Sequence, residues 1–109
     1  MDLIAVYTSL PSRQQAQQLA ASLVQSGLVA CAQISEIESF YRWDGELQQE
    51  IEYRLLLKAA AHCYDAIEAA ILSGHSYDLP AIHAIRIERA HAPYAAWIQH
   101  CCELCNRQS

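Results

Sequence analysis

A run of three cysteines and a histidine, His100-Cys101-Cys102-x-x-Cys105, lies close to the C-terminus of this chain. Thiolate sulfur is a soft donor, and two cysteines four apart on a helix share a face, so Cys101 and Cys105 are spaced to hold a soft ion such as Cu(I). The competing reading makes them the end of an apolar stripe that begins at Trp97 and Ile98, since an unpaired cysteine packs like a small hydrophobe. A single Cys-x-x-x-Cys also lacks the second ligand pair of a structural zinc site. A second group sits mid-chain. Lys58, the only lysine, directly follows Leu55-Leu56-Leu57, and Glu52 lies six residues before it. An even separation puts both on the same side of a strand, and a charge covered there must be paired or hydrogen-bonded. The two then form either an interface salt bridge or the polar floor of a cleft between subunits. Cys31 is read either as a buried strand residue or as part of such a cleft. With one of the five histidines it would form a nucleophile pair only if the fold joined them. The chain has no Gly-x-Ser-x-Gly elbow and no glycine-rich phosphate loop, and Ser9-Leu10-Pro11-Ser12-Arg13 contains no glycine. These patterns favour binding over catalysis.

The elements that must position these residues follow from periodicity. Leu3 to Thr8 reads as a strand ended by Pro11. Ser12 with Gln15 is a capping-box signature, and Ala16, Leu19, Ala20, Leu23 and Val24 follow at helical spacing until Gly27. Ala30 to Trp43 and Leu47 to Ala59 read as two long strands around Asp44-Gly45, a pair suited to a primed turn because glycine takes φ > 0 without steric cost. His62 to Ser73 is predicted as a helix with Cys63, Tyr64, Ile67, Ala70 and Ile71 on one side. Ile82 to Arg89 is a strand, and Pro93 opens a third helix with Tyr94, Trp97, Ile98, Cys101 and Cys105 on its buried stripe. The order βαββαβ plus a C-terminal helix predicts an α+β, ferredoxin-like antiparallel sheet, one domain over residues 1–109.

Two features of that pattern predict assembly. Each hairpin arm would span about 45 Å at roughly 3.3 Å per residue, whereas a domain of this size has a radius of gyration of about 13 Å. The hairpin overruns its own domain, and unpaired strand edges recruit other chains. Apolar residues also occupy both parities of the strands, as in Leu3 to Tyr7 and in Leu55-Leu56-Leu57. Two helices cover only one face of a sheet, so the other must be covered by another subunit or by the third helix.

Composition narrows the partners. At 109 residues and 53% apolar content the chain suits one globular core. Twelve acidic against seven basic residues, with no Lys/Arg cluster, argue against nucleic acid and anionic membranes. No apolar run approaches the ~20 residues of a membrane span, and Met1-Asp2-Leu3 lacks a basic leader. Five cysteines at irregular spacing do not read as a disulfide framework, so reduced thiols and the cytoplasm are expected.

In order and spacing, Tyr7-Thr8-x-x-Pro11, Gly27-Leu28-x-Ala30-Cys31-x-x-Ile34, Ser39-x-Tyr41-Arg42-Trp43-x-Gly45, Glu52 with Lys58, His75-x-Tyr77-x-x-Pro80 and Tyr94-x-x-Trp97 resemble the CutA, or divalent-cation tolerance, family. The resemblance runs from the first strand through Trp97. It implies a homotrimer of ferredoxin-like subunits, similar in architecture to PII-type signalling trimers, with the long hairpins packed across subunits. Tyr41 and Trp43 would then grip a neighbour at the trimer interface. It also implies copper or another divalent cation, or a small ligand, as partner. The ligand cleft would include Cys31, Gln33, Glu52, Lys58 and Tyr77. Of the family's copper-site positions, which here carry Tyr7, Gly74 and His75, only His75 keeps a donor. Ser76, Asp78, Gln33 and Ala59 depart from the residues usual in the family, the first two in the loop after helix two and the others near the polar pocket. The alternative implied is a signalling or structural trimer without a metal function.

Overall fold

The computed structural model describes residues 2–103 and 105. Strand β1 (Leu3–Leu10), helix α1 (Arg13–Gln25), strands β2 (Cys31–Trp43) and β3 (Glu46–Ala60), a 3-10 turn (Ala61–Cys63), helix α2 (Tyr64–Gly74), strand β4 (Ile82–Ile87) and helix α3 (Ala92–Cys101) follow in that order. The strands form one antiparallel sheet ordered β2-β3-β1-β4, the ferredoxin-like arrangement expected from the sequence.

Local chemistry sets the boundaries. Ser12 Oγ accepts the Gln15 N–H at 3.2 Å and caps α1. Gly27 at φ +77° lets the chain leave the helix while the Leu28 N–H reaches back to the Leu23 carbonyl. Asp44 and Gly45, at φ +56° and +80°, form the two-residue turn between Trp43 and its ladder partner Glu46. Strand β4 stops at Ile87 rather than Arg89, because Ile87 pairs with Leu3, the first residue of β1, and the ladder offers nothing further. Leu28 to Ala30 form a buried approach to β2 rather than part of it.

The core lies between the sheet and the helices. Val6, Leu10, Leu55 and Leu57 are fully buried with Ala16, Leu23, Ile67 and Ile71. The α1 stripe runs through Ala16, Leu19, Ala20 and Leu23, and Val24, expected on it, lies at its edge and is exposed. On α3 and just beyond it the buried positions are Ile98, Cys102 and Cys105. Cys101 is half-buried and Trp97 exposed, so the stripe advances by four and then three residues and bypasses Cys101. Thr8 is a buried polar residue of β1, and its Oγ1 has no hydrogen-bond partner among the described residues.

The cysteines depart from the reduced state expected of them. Cys63 and Cys105 form a disulfide, leaving Cys31, Cys101 and Cys102 as free thiols. Irregular spacing hid the pair because 42 residues separate its members, and only folding brings the turn after β3 against the segment after α3.

Strand β3 pairs with β1 only from Tyr53 to Ala60, but with β2 from Glu46 to Lys58. The seven pairs from Ile37↔Glu52 to Trp43↔Glu46 therefore form a two-stranded ribbon that projects past the sheet. The chain measures 45 × 27 × 22 Å. Alternation puts Phe40, Leu47 and Ile51 on one face of the ribbon and Ile37, Tyr41 and Trp43 on the other. Leu47 is 75% exposed, Phe40 58% and Trp43 52%.

Candidate functional site

The ladder between β2 and β3 is continuous from Cys31↔Lys58 to Trp43↔Glu46, with no bulge. Cys31, Gln33, Glu52 and Lys58 consequently share the sheet face opposite the buried Leu55 and Leu57. Through Ala5↔Lys58 and Tyr7↔Leu56, that face continues into Tyr7 on β1 and His83 on β4. Helix α3 covers one end of it, where the Lys58 ammonium lies 5.5 Å from the centroid of the half-buried Tyr94 ring. The remainder is open, with Arg54, His83 and Ile85 exposed.

A cleft of about 700 Å³ occupies the open part, between the end of β1, the root of the ribbon and the loop after α2. Its first component is a hydrogen-bonded arch. The Tyr77 N–H donates to His75 Nδ1 at 3.2 Å, which leaves the ring proton on Nε2, and that N–H donates to the Ser9 carbonyl at 2.8 Å. His75 thus ties the loop to β1 with both ring nitrogens. The arch ends where Tyr77 Oη donates to Glu52 Oε2 at 2.9 Å. Burial holds the Tyr77 phenol well above its ordinary range, and the bond to Glu52 and the nearby carboxylates of Glu52 and Glu50 push the same way. The Tyr41 phenol is also raised, first by its hydrogen bond to Glu50.

The second component is a stack. The Tyr7 and His83 rings lie 5.1 Å apart and nearly parallel, and the Arg54 guanidinium lies 6.0 Å from the Tyr7 centroid. Tyr41, Trp43 and Asp78 complete the wall. The cleft therefore offers flat aromatic faces, the guanidiniums of Arg42 and Arg54 and the carboxylates of Glu52 and Asp78. The raised Tyr77 and Tyr41 phenols stay protonated, which suits recognition rather than proton transfer.

The structure separates several residues grouped by sequence. Glu52 and Tyr77 meet in the cleft, whereas Cys31, Gln33 and Lys58 lie further along the same face. Glu52 and Lys58 share a side but are roughly 20 Å apart along β3, and each has another contact, Tyr77 or Tyr94. They do not form a salt bridge or one polar floor. His75 keeps no free lone pair for a metal in this arrangement, and Cys105 is committed to Cys63. Cys101 and Cys105 do not form a two-thiol site. Among the described residues no group of three or more His, Cys, Asp or Glu side chains is placed to hold a metal ion. Sequence reasoning missed Arg54 and His83 as cleft residues. Strand parity carried the signal for Arg54, two residues from Glu52, but the Tyr7↔His83 pairing required the β1-β4 register.

Comparison with known proteins gives a consistent result. The family model for the CutA1 divalent ion tolerance protein matches residues 4–101. A divalent-cation tolerance protein CutA from Pyrococcus horikoshii is 30% identical over 96 residues, covering 88% of this chain and 94% of that protein. Among solved structures, the periplasmic divalent cation tolerance protein CutA from Archaeoglobus fulgidus superposes with a TM-score of 0.91 at 30% identity, covering 93% of this chain and 99% of that one. CutA from Synechococcus elongatus also gives 0.91, at 31% identity over 94% and 91% of the two chains.

Proposed function

The chain belongs to the CutA1 divalent ion tolerance family, and from that premise we propose that it works as a homotrimeric binding protein in the response to divalent cations. Its site is the open-face cleft, completed by a neighbouring subunit. The observation that carries this reading is the projecting ribbon. A two-stranded ribbon is marginal in water by itself, and this one exposes large apolar side chains on both faces beside an open sheet face. Packing the ribbon of one subunit against the next would cover Trp43, Tyr41 and Leu47 and roof the cleft. Such a head-to-tail contact either closes into a ring or grows into a filament, and the proposal is the closed ring of three.

Within one subunit the cleft supplies Glu52, Asp78 and His83 as donors, and a bound copper or other divalent cation needs a neighbour's residues to complete its shell. The aromatic stack and Arg54 equally suit a small planar or anionic ligand, the role of a signalling trimer. The protein is proposed as a binder and not an enzyme, with neither nucleic acid nor membrane as partner, in keeping with its net charge of −5. Cytoplasmic residence belongs to the same proposal. Its support is the half-buried free thiols of Cys31 and Cys101, which persist in a reducing compartment. The Cys63–Cys105 disulfide pulls the other way, so cell fractionation with thiol trapping before lysis tests this part.

Light scattering is expected to give three times the chain mass, and Trp43→Ala with Leu47→Ala to shift it toward the monomer. A wild-type monomer at micromolar concentration refutes the assembly. Calorimetric titration with Cu(II), Cu(I) and Zn(II) is expected to show saturable binding tighter than about 10 μM, weakened by Glu52→Gln and His83→Ala. No saturable binding refutes the cation as ligand and leaves the small-ligand reading.

A further inference from the structure

Two sulfurs lie against one backbone carbonyl, far from the cleft, and a third is bonded to one of them. The sulfurs of Cys102 and Cys105 lie 3.7 and 3.8 Å from the Leu28 carbonyl oxygen, and Cys105 is bonded to Cys63 in the turn after β3. All three cysteines are buried, Cys63 and Cys102 completely and Cys105 with 7% exposed. Among the described residues the rest of this anchorage is slight, with Tyr94, Ala95 and Cys101 packing only partly against the core. A helix of ten residues is too short to be stable alone, and α3 buries one residue of its own, Ile98. The backbone hydrogen bonds of Cys102, Glu103 and Cys105 are local. Apart from the sulfur contacts, the cross-chain hydrogen bond here is Gln99 Nε2 to the Asp2 carbonyl at 3.3 Å.

We propose that the Cys63–Cys105 disulfide is a redox-operated clasp that fixes the C-terminal end of α3, and with it the Tyr94 cover over Lys58, so that a dithiol reductant releases this end of the sheet. In the releasing step the reductant's thiolate attacks Sγ of Cys105, the more exposed residue of the pair. The Cys63–Cys105 bond breaks, and Cys63 leaves as a thiolate and takes a proton. The reductant's second thiol then displaces Cys105 from the mixed disulfide. Two electrons pass to the protein, and the reductant leaves as its own disulfide. Cys102 stands beside the clasp without scrambling it, since burial raises its thiol pKa and disfavours the attacking thiolate. Because Cys105 is nearly buried, release needs fraying of the last turn first, which makes the clasp slow and selective for reductants that capture the frayed form.

Alkylation followed by mass measurement, under denaturing conditions and without reductant, is expected to count three thiols, those of Cys31, Cys101 and Cys102. Dithiothreitol should raise the count to five. Hydrogen exchange of the same oxidised and reduced samples should then show residues 95–103 exchanging at least about tenfold faster after reduction, with β1 and β3 unchanged. Cys105→Ser should reproduce the fast exchange without reductant, and Cys101→Ser should not. Five thiols before reduction, or equal exchange in oxidised and reduced wild type, would overturn the proposal. The wild-type comparison decides it even if Cys105→Ser folds poorly.

Discussion

Replacing Tyr77 by Phe removes one atom from the cleft, the hydroxyl that spans 2.9 Å to Glu52. A hydrogen bond from a neutral donor to a charged acceptor contributes about 1.5 to 3 kcal/mol. Tyr77 and Glu52 are each only half-buried, so water competes, and about 1 kcal/mol is expected. The single variant mixes this with the hydration of a freed carboxylate, so the bond is isolated by a double-mutant cycle with Glu52→Gln. Urea unfolding at one fixed protein concentration is the assay, because assembly couples stability to concentration. A coupling energy of about 1 kcal/mol with unchanged m-values supports the arch. Coupling below about 0.3 kcal/mol, the usual error of additivity, would show that the loop does not rest on the ribbon in solution. The pH dependence reads the same side chain, whose phenol is raised by burial first and by the bond to Glu52 second. The folded state holds the Tyr77 proton more tightly than the unfolded chain, so the contribution is fully present below about pH 10 and is lost as pH rises toward the folded value. The loss approaches at most about 1.4 kcal/mol per pH unit, and Tyr77→Phe should flatten that alkaline limb relative to wild type.

Three further outcomes are expected from the same unfolding assay. Thr8→Val replaces an unpaired buried hydroxyl by a methyl group of similar size and should stabilise by about 1 kcal/mol; a loss of that size would mean that the hydroxyl has a partner in solution. Gly45→Ala adds a methyl that meets nothing within 4 Å, so its cost is the backbone at φ +80° alone, about 1 kcal/mol; a neutral result would mean a different turn. Ser12→Ala removes the acceptor that caps α1 and should destabilise by about 1 kcal/mol, whereas Ser12→Asp should keep most of the stability.

How much was legible in advance depended on the range of the interaction. Ser12, Gly27 and the Asp44-Gly45 turn act within a few residues, and each bounds its element as read from the chain. The β4 boundary failed because Ile87 is the last partner that Leu3 provides, a fact about β1 and not about Glu88 or Arg89. The placement of Cys101 failed for a similar reason. Spacing allowed Cys101 or Cys102 to face inward, and contact with Leu28 and Cys63 chose Cys102 and Cys105.

The candidate site divides along the same line. Parity alone placed Glu52 and Lys58 on one side of β3, because successive strand residues alternate sides and no bulge interrupts the ladder, whereas the β2-β3 register was needed to bring Cys31 and Gln33 onto the same face. Sequence also determined the element order, the overlong hairpin and the family. The cleft is a product of tertiary structure, since the loop carrying Tyr77 reaches Glu52 across 25 residues and His75 reaches Ser9 across 66. The disulfide likewise depends on α3 returning to the β3 end. Hydrogen-bond and thiol chemistry are short-ranged, so these contacts form only where the folded backbone brings distant segments within a few ångströms.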